Sequence, residues 1–167
     1  MKIRRAIAKD IPRIGTLLEQ VNEVHHKGRP DLFGCGCKYT DRELEDILAD
    51  DLRPVFVAVD DDGVVVGYAF CMLQQHEDSH ILKPVRTLYV DDLCVDEACR
   101  GQHVGKTVYE AVVEFARIAG CYNLTLNVWS CNPSAMKFYE RCGLVPQKVG
   151  MELVLDTAGN SMSGHDD

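Results

Sequence analysis

The sequence predicts an α/β fold: a central mixed β-sheet with helices on both faces. Three observations carry this reading. Apolar residues alternate with period two in several short runs, they recur with helical spacing in others, and the two kinds interleave as β-α-α-β-β-β-α-β-α-β. A hairpin beside strand–helix–strand units calls for both antiparallel and parallel neighbours in one sheet.

Lys2 to Ala8 reads as the first strand. Asp10 is placed to cap a helix with Pro12 in its first turn, and Ile11, Ile14, Leu17, Leu18 and Val21 share one helical face. Residues 25–38 have no clear period and read as a loop or broken helix. Thr40 and Glu43 are spaced as a capping box before Leu44, Ile47 and Leu48. Pro54–Val59 and Val64–Leu73 flank the turn Asp60-Asp61-Asp62-Gly63, which makes them a hairpin. Residues 74–84 are polar loop, Arg86–Val95 a strand and 96–103 a loop. Val104, Val108, Ala111, Val112, Phe115 and Ile118 form the clearest helical face, stopped by Gly120. Tyr122–Trp129 alternates as a strand. Asn132 caps a short helix with Pro133 at its start and Gly143 beyond its end. Residues 144–155 are expected to supply one or two final strands, and 156–167 a polar, flexible tail. No repeat or linker divides the chain, so 1–155 is expected to be one domain.

The charge balance is 18 basic against 26 acidic residues, a net of −8, with no long basic run. That argues against nucleic acid as the partner. No apolar run approaches the roughly 20 residues that span a bilayer. The charged opening Met1-Lys2-Ile3-Arg4-Arg5 leads into an amphipathic pattern, so neither a membrane partner nor an export signal is expected. Eight cysteines in a chain of this length and hydrophobicity do not read as a disulfide scaffold. Most sit in apolar runs, as Cys71, Cys94 and Cys121 do. The cytoplasm is the expected compartment.

Arg100-Gly101-Gln102-His103-Val104-Gly105-Lys106-Thr107 lies between a strand and the best helix. A helix start offers unpaired N–H groups, glycines let backbone approach a ligand, and Arg100 and Lys106 add charge, so the segment suits a phosphate. It is not a nucleotide-triphosphatase loop, because only three residues separate Gly101 from Gly105 and no later strand ends in an Asp for Mg²⁺. Taken alone, a helix start without a ligand explains the glycines equally well.

The flanking residues decide between these. Arg100-Gly101-Gln102-His103-Val104-Gly105, followed about 30 residues on by Asn132-Pro133-Ser134-Ala135-Met136-Lys137-Phe138-Tyr139-Glu140-Arg141-Cys142-Gly143, resembles the GNAT superfamily of acetyl-CoA-dependent N-acetyltransferases. The likeness covers roughly residues 2–155, and its one departure is His103 where the family usually has glycine. If that position needs a positive φ, His103 carries a small strain.

The resemblance implies a splayed sheet with the pantetheine arm of acetyl-CoA between the fourth and fifth strands. Leu93, Cys94 and Val95 would offer it backbone groups. The pyrophosphate would sit on Arg100, Gly101, Gln102, His103, Val104, Gly105 and Lys106, with Asn132, Ser134 and Tyr139 further along the cofactor. Tyr139 takes the general-acid position, since a phenol keeps its proton at neutral pH. Asp91 and Asp92 are the candidate bases, with a water chain an equal alternative. Strict alternation puts Asp91 on the face of Leu93 and Val95, and Asp92 on that of Cys94, which favours Asp91. His25, Arg29, Asp31, Phe33 and His76, with Glu77, are candidate acceptor contacts, although packing or surface roles fit each as well.

The implied activity is direct acetyl transfer to a primary amine of a small molecule, polyamine- or aminoglycoside-like. A peptide acceptor is the alternative enzyme reading, and a non-catalytic CoA sensor the alternative from another class. Pairing of two copies is common among relatives. No metal is expected: His25, His26, Cys35 and Cys37 lack zinc spacing. Cys142 reads as packing, with no base placed beside it.

Overall fold

A computed structural model describes residues 1–155, so the expected tail at 156–167 lies outside the described residues. Strands β1 (Lys2–Arg5), β2 (Val55–Val59), β3 (Val65–Gln75), β4 (Arg86–Val95) and β5 (Asn123–Leu126) lie side by side in chain order. The first three junctions are antiparallel and β4–β5 is parallel, giving the mixed sheet. The helices are α1 (Ile11–Gly28), α2 (Asp41–Ala49), α3 (Val104–Ile118) and α4 (Pro133–Arg141).

The period-two runs sort the sheet into two cores. Val55, Val57, Tyr68 and Phe70 face α1 and α2, meeting Ile14, Leu17, Leu18, Leu44 and Ile47. The intervening residues Phe56, Ala58, Ala69, Cys71, Leu88 and Val90 face α3 and pack on Val104, Val108, Val112 and Ala116. Burying one such side chain contributes about 1.5–3 kcal/mol, so these stripes fix which side each helix takes.

Local signals hold at most junctions. Thr40 Oγ1 accepts from the Glu43 N–H, while Glu43 accepts from the Thr40 N–H. Asp60 Oδ1 accepts from the N–H groups of Asp62 and Val64, closing the hairpin turn over Gly63 at φ +82°. Asp10 differs from expectation. It sits at the start of α1 but does not cap it, because its carboxylate accepts two bonds from Arg4 and one from Ile7 N–H. The stretch expected to lose order from residue 25 stays helical to Gly28.

Two expectations fail. β5 is four residues long rather than the run Tyr122–Trp129. Residues 144–155 form no strand among the described residues, and their apolar side chains stay exposed. No described helix is long and apolar enough to cross a membrane.

The end of β4 is tied to α1 through Asp96. Its buried carboxylate accepts from Arg13, Gln20 and the Ala98 N–H, and Arg13 also donates to the Val65 carbonyl. Asp96→Ala strands a partly buried guanidinium and is expected to lower stability by about 2–3 kcal/mol, read as a shift of the urea midpoint at unchanged slope.

Candidate active site

β5 pairs with Thr87–Val90 and stops, while β4 runs on through Val95. The sheet therefore parts along residues 91–95. The register shifts at the same point: Cys71 faces Val90, but Phe70 faces Asp92. Asp91 is the extra residue of a β-bulge.

The bulge corrects the strict alternation expected for the two carboxylates. Asp91 does not join the face of Leu93 and Val95. It turns to the α1–α2 side, where Lys38 Nζ lies 2.7 Å and the Tyr39 hydroxyl 3.2 Å from Oδ2. Asp92 lies on that same side, taking a 2.8 Å bond from the hydroxyl of the fully buried Tyr68.

The ladder also fixes which backbone groups face the gap. Asp96 N–H bonds the Val66 carbonyl, so by antiparallel alternation Cys94 turns its backbone to β3, while Leu93 and Val95 turn theirs outward. Of the three residues expected to offer backbone groups, Leu93 and Val95 have them free of the ladder. Cys94 contributes a buried thiol pushed up to about 12 by burial.

Asp92 and Tyr139 are both perturbed acids. Burial pushes the Asp92 carboxyl up to about 6, against the opposing pull of the Tyr68 hydrogen bond and the Lys38 charge. Burial, with the negative charge of Asp92 next in size, pushes the Tyr139 phenol well above its ordinary value. Asp91, held by Lys38, is an ion-pair partner.

Below the gap, α3 begins at His103, whose φ of 63° makes it the sole positive-φ residue other than glycine among the described residues. The strain foreseen at the family glycine is real. Gly101 has φ +78° with open space at its missing Cβ. Together they turn the chain so that the free N–H groups of α3 open into a cavity of about 520 Å³. Arg100, Gly101, His103, Gly105, Lys106, Phe138 and Arg141 are among its lining residues. A cradle of backbone donors and three cations beside outward strand amides fits a diphosphate joined to an amide-bearing arm.

Sequence reasoning missed Phe138, Arg141 and Cys142, which α4 brings to this cavity. Helical spacing offered the signal, since Phe138 and Arg141 stand three apart and share a face. Asn132 Oδ1 caps α4, accepting from the Ala135 N–H and the Ser134 hydroxyl. Gln102 is exposed and Val104 packs into the core.

At the other end of the gap, Phe33 lies between His25 and Trp129, both at 5.1 Å. A Cβ on Gly28 would meet Cys131 Sγ at 2.7 Å, so the end of α1 lies hard against the loop after β5. Trp129 is the residue sequence reading did not select here. Burial and the nearby Lys38 charge hold the His25 imidazole below its ordinary value. Arg29 is clamped by Asp31 and Glu152. His76 and Glu77 are exposed. His26 is engaged locally, its Nδ1–H donating to the Phe33 carbonyl and its Nε2 meeting the Cys35 thiol, and no group of metal-ligating side chains converges among the described residues.

The family model described as Acetyltransferase (GNAT) family matches residues 20–144. The chain belongs to the GNAT acetyltransferase family. Acetyl-CoA is the co-substrate of that acyltransferase family. A glucosamine 6-phosphate N-acetyltransferase from Oryza sativa subsp. japonica is 41% identical over 68 residues, 41% of this chain and 39% of its own. A counterpart from Arabidopsis thaliana is 31% identical over 68 residues, 41% of this chain and 44% of its own. The match thus spans about two fifths of these relatives' length. Among solved structures, a tetramutant of the BH1408 protein from Bacillus halodurans superposes with a TM-score of 0.89 at 30% identity, over 93% of this chain and 100% of that one. An aminoglycoside N-acetyltransferase in complex with CoA shares the fold at 17% identity, with a TM-score of 0.69 over 93% and 100% of the two chains.

Arg141→Ala is expected to weaken CoA binding about tenfold, the loss of one charge-assisted hydrogen bond near solvent, with the melting temperature unchanged. Calorimetric titration reads it. His103→Gly is expected to raise stability by up to about 1 kcal/mol by removing the left-handed strain, read from thermal unfolding without ligand.

Proposed function

We propose that this GNAT domain moves the acetyl group of acetyl-CoA directly to a primary amine of a small, cationic molecule of the polyamine or aminoglycoside class. The observation that carries the reading is the parted β4–β5 edge, with a cationic helix start at one end and the Asp92 carboxylate beside it.

Acetyl-CoA supplies an activated acyl carbon and a thiolate leaving group. Leu93 and Val95 bind the amide-bearing arm by strand-like hydrogen bonds, and the start of α3 with Lys106 and Arg141 holds the diphosphate. Asp92 takes a proton from the ammonium or from the attacking nitrogen. The C–N bond forms as the C–S bond breaks, and Tyr139 gives its proton to the departing sulfur. A base near 6 is ionised at neutral pH yet still accepts a proton. The raised phenol stays protonated and remains a donor.

The acceptor end supports a cation. Lys38 is paired with Asp91, and Arg29 with Asp31 and Glu152, which leaves neither cation uncommitted to receive a phosphate. Glucosamine 6-phosphate is the second reading, favoured by the partial likeness to enzymes of that name. Acetylation of a panel holding spermidine, an aminoglycoside and glucosamine 6-phosphate, followed by mass spectrometry, separates them. Turnover of glucosamine 6-phosphate alone overturns the first reading, and no turnover of any amine overturns both.

Asp92 acts only when ionised, so kcat/KM is expected to rise with pH through about 6 and level off above it. Asp92→Asn is expected to remove that limb and lower kcat about 100-fold. The same raised pKa makes the folded chain hold this proton more tightly than the unfolded chain does. Stability from this group is therefore full below the ordinary carboxylate value and falls as pH rises through about 6. Asp92→Asn is expected to be the more stable protein at neutral pH by denaturant titration. Tyr139→Phe is expected to lower kcat about 100-fold with KM for acetyl-CoA little changed.

A further inference from the structure

The segment between α1 and α2 lacks zinc spacing, yet it brings a histidine and a cysteine into contact. Cys35 Sγ lies 3.6 Å from His26 Nε2. The other ring nitrogen, Nδ1, lies 2.6 Å from the Phe33 carbonyl. A carbonyl only accepts, so Nδ1 carries the hydrogen and Nε2 of the neutral ring presents its lone pair to the thiol. Thiol, base and a third group that orients the base are the parts of an activated nucleophile.

The loop is held for that contact. Asn22 and His26 stand one turn apart on α1 and share a face. Asn22 Nδ2 donates to the carbonyls of Gly34 and Gly36, both at 2.9 Å, on either side of Cys35. Among the described residues nothing lies within 4 Å of where a Cβ on either glycine would stand, so the two glycines leave the thiol unshielded. The chain bends at Cys35 and Gly36, where Gly36 has φ +129°. Among the described residues Cys35 and Cys37 are the exposed thiols. Cys37 Sγ turns to the Gly15 carbonyl instead of an imidazole. In the core, burial pushes the Cys71 and Cys94 thiols up to about 12 and keeps them inert.

We propose that Cys35, with His26 as its base, is a site of thiol–disulfide exchange with small-molecule disulfides, and that Cys37 completes the reaction. His26 Nε2 takes the Cys35 proton as the Cys35 sulfur attacks one sulfur of RS–SR. A bond forms between Cys35 and one RS group, the original S–S bond breaks, and the other RS leaves as thiolate and takes the proton from His26. Cys37 then gives up its proton and attacks the Cys35 sulfur. The Cys35–Cys37 disulfide forms, and the remaining RS departs as thiolate and accepts that proton. Two protein thiols are oxidised, and one small disulfide is reduced to two thiols. A disulfide needs Cα atoms roughly 4–7 Å apart, a span open to residues two apart at a bend. None of the groups assigned to acetyl transfer takes part.

Limiting iodoacetamide on the reduced full chain at neutral pH, with labelled sites mapped by tandem mass spectrometry, tests the nucleophile. Cys35 is expected to react about tenfold or more faster than its exposed neighbour Cys37. Equal rates overturn the proposal without recourse to any variant. His26→Gln is expected to bring Cys35 down to the rate of Cys37 and to leave Cys37 unchanged. A variant Cys35 as fast as the parent's removes the base and overturns the proposal. Glutathione disulfide is the probe for exchange. The parent chain is expected to lose two hydrogens, and Cys37→Ser to gain one glutathionyl group on Cys35. A mixed disulfide that persists in the parent overturns the role of Cys37. Glutathione on other cysteines, or on none, overturns the site.

Discussion

The site depends on a sheet that comes apart at one place. β4 is more than twice as long as β5, and its bulge at Asp91 falls where the shorter strand ends. Backbone N–H and C=O groups left without a partner inside a protein carry a penalty of a few kcal/mol each. The Val95 carbonyl is met by Arg100 Nε at 3.3 Å, so the outward groups of Leu93 and the Val95 N–H are the ones that call for a strand-like ligand. The same bulge sets the acids, turning Asp91 and Asp92 to one side and separating their roles. Lys38 neutralises the first, while burial beside Tyr68 raises the second.

The charged groups of the cleft are held in place by packing. α3 is anchored through Val104, Val108 and Val112, which fixes the direction of its dipole toward the cavity and holds His103 in a left-handed turn. Gly105 lets α3 approach: a Cβ there would lie 3.3 Å from Val95 and 3.5 Å from Phe138. One small residue thus brings the end of β4, the helix start and α4 to a common wall. Arg100, Lys106 and Arg141 gather at that end, while the cations Lys38 and Arg29 at the other are each paired with carboxylates, the arrangement suited to an anionic carrier meeting a cationic amine.

Much of this was legible from local pattern. β4, α3 and α4, and the segment Arg100 to Lys106 between strand and helix, follow from periodicity, capping residues and glycine placement. The bulge was not read from sequence, because the phase flip it causes, from Leu88 and Val90 to Leu93 and Val95 on the α3 face, is masked by apolar residues at both parities of the strand. It becomes visible only when Phe70 and Cys71 are set against their partners. That is why the carboxylate preference moved from Asp91 to Asp92. Asp10 misled for a related reason: cap chemistry is short-range, and Arg4 on β1 reached its carboxylate first. Arg141 and Trp129 enter the cleft through tertiary placement of α4 and the loop after β5. Residues 144–155 do carry strand chemistry, and the structure of a single copy gives them no sheet to join.

The central claim is that the open edge of β4 receives the arm of coenzyme A. Amide hydrogen exchange read by NMR, with and without saturating CoA, tests it residue by residue. The Leu93 and Val95 amides are expected to slow by about tenfold or more, while Cys94, already bonded to β3, changes little. Unchanged exchange at Leu93 and Val95 with CoA bound would contradict the account.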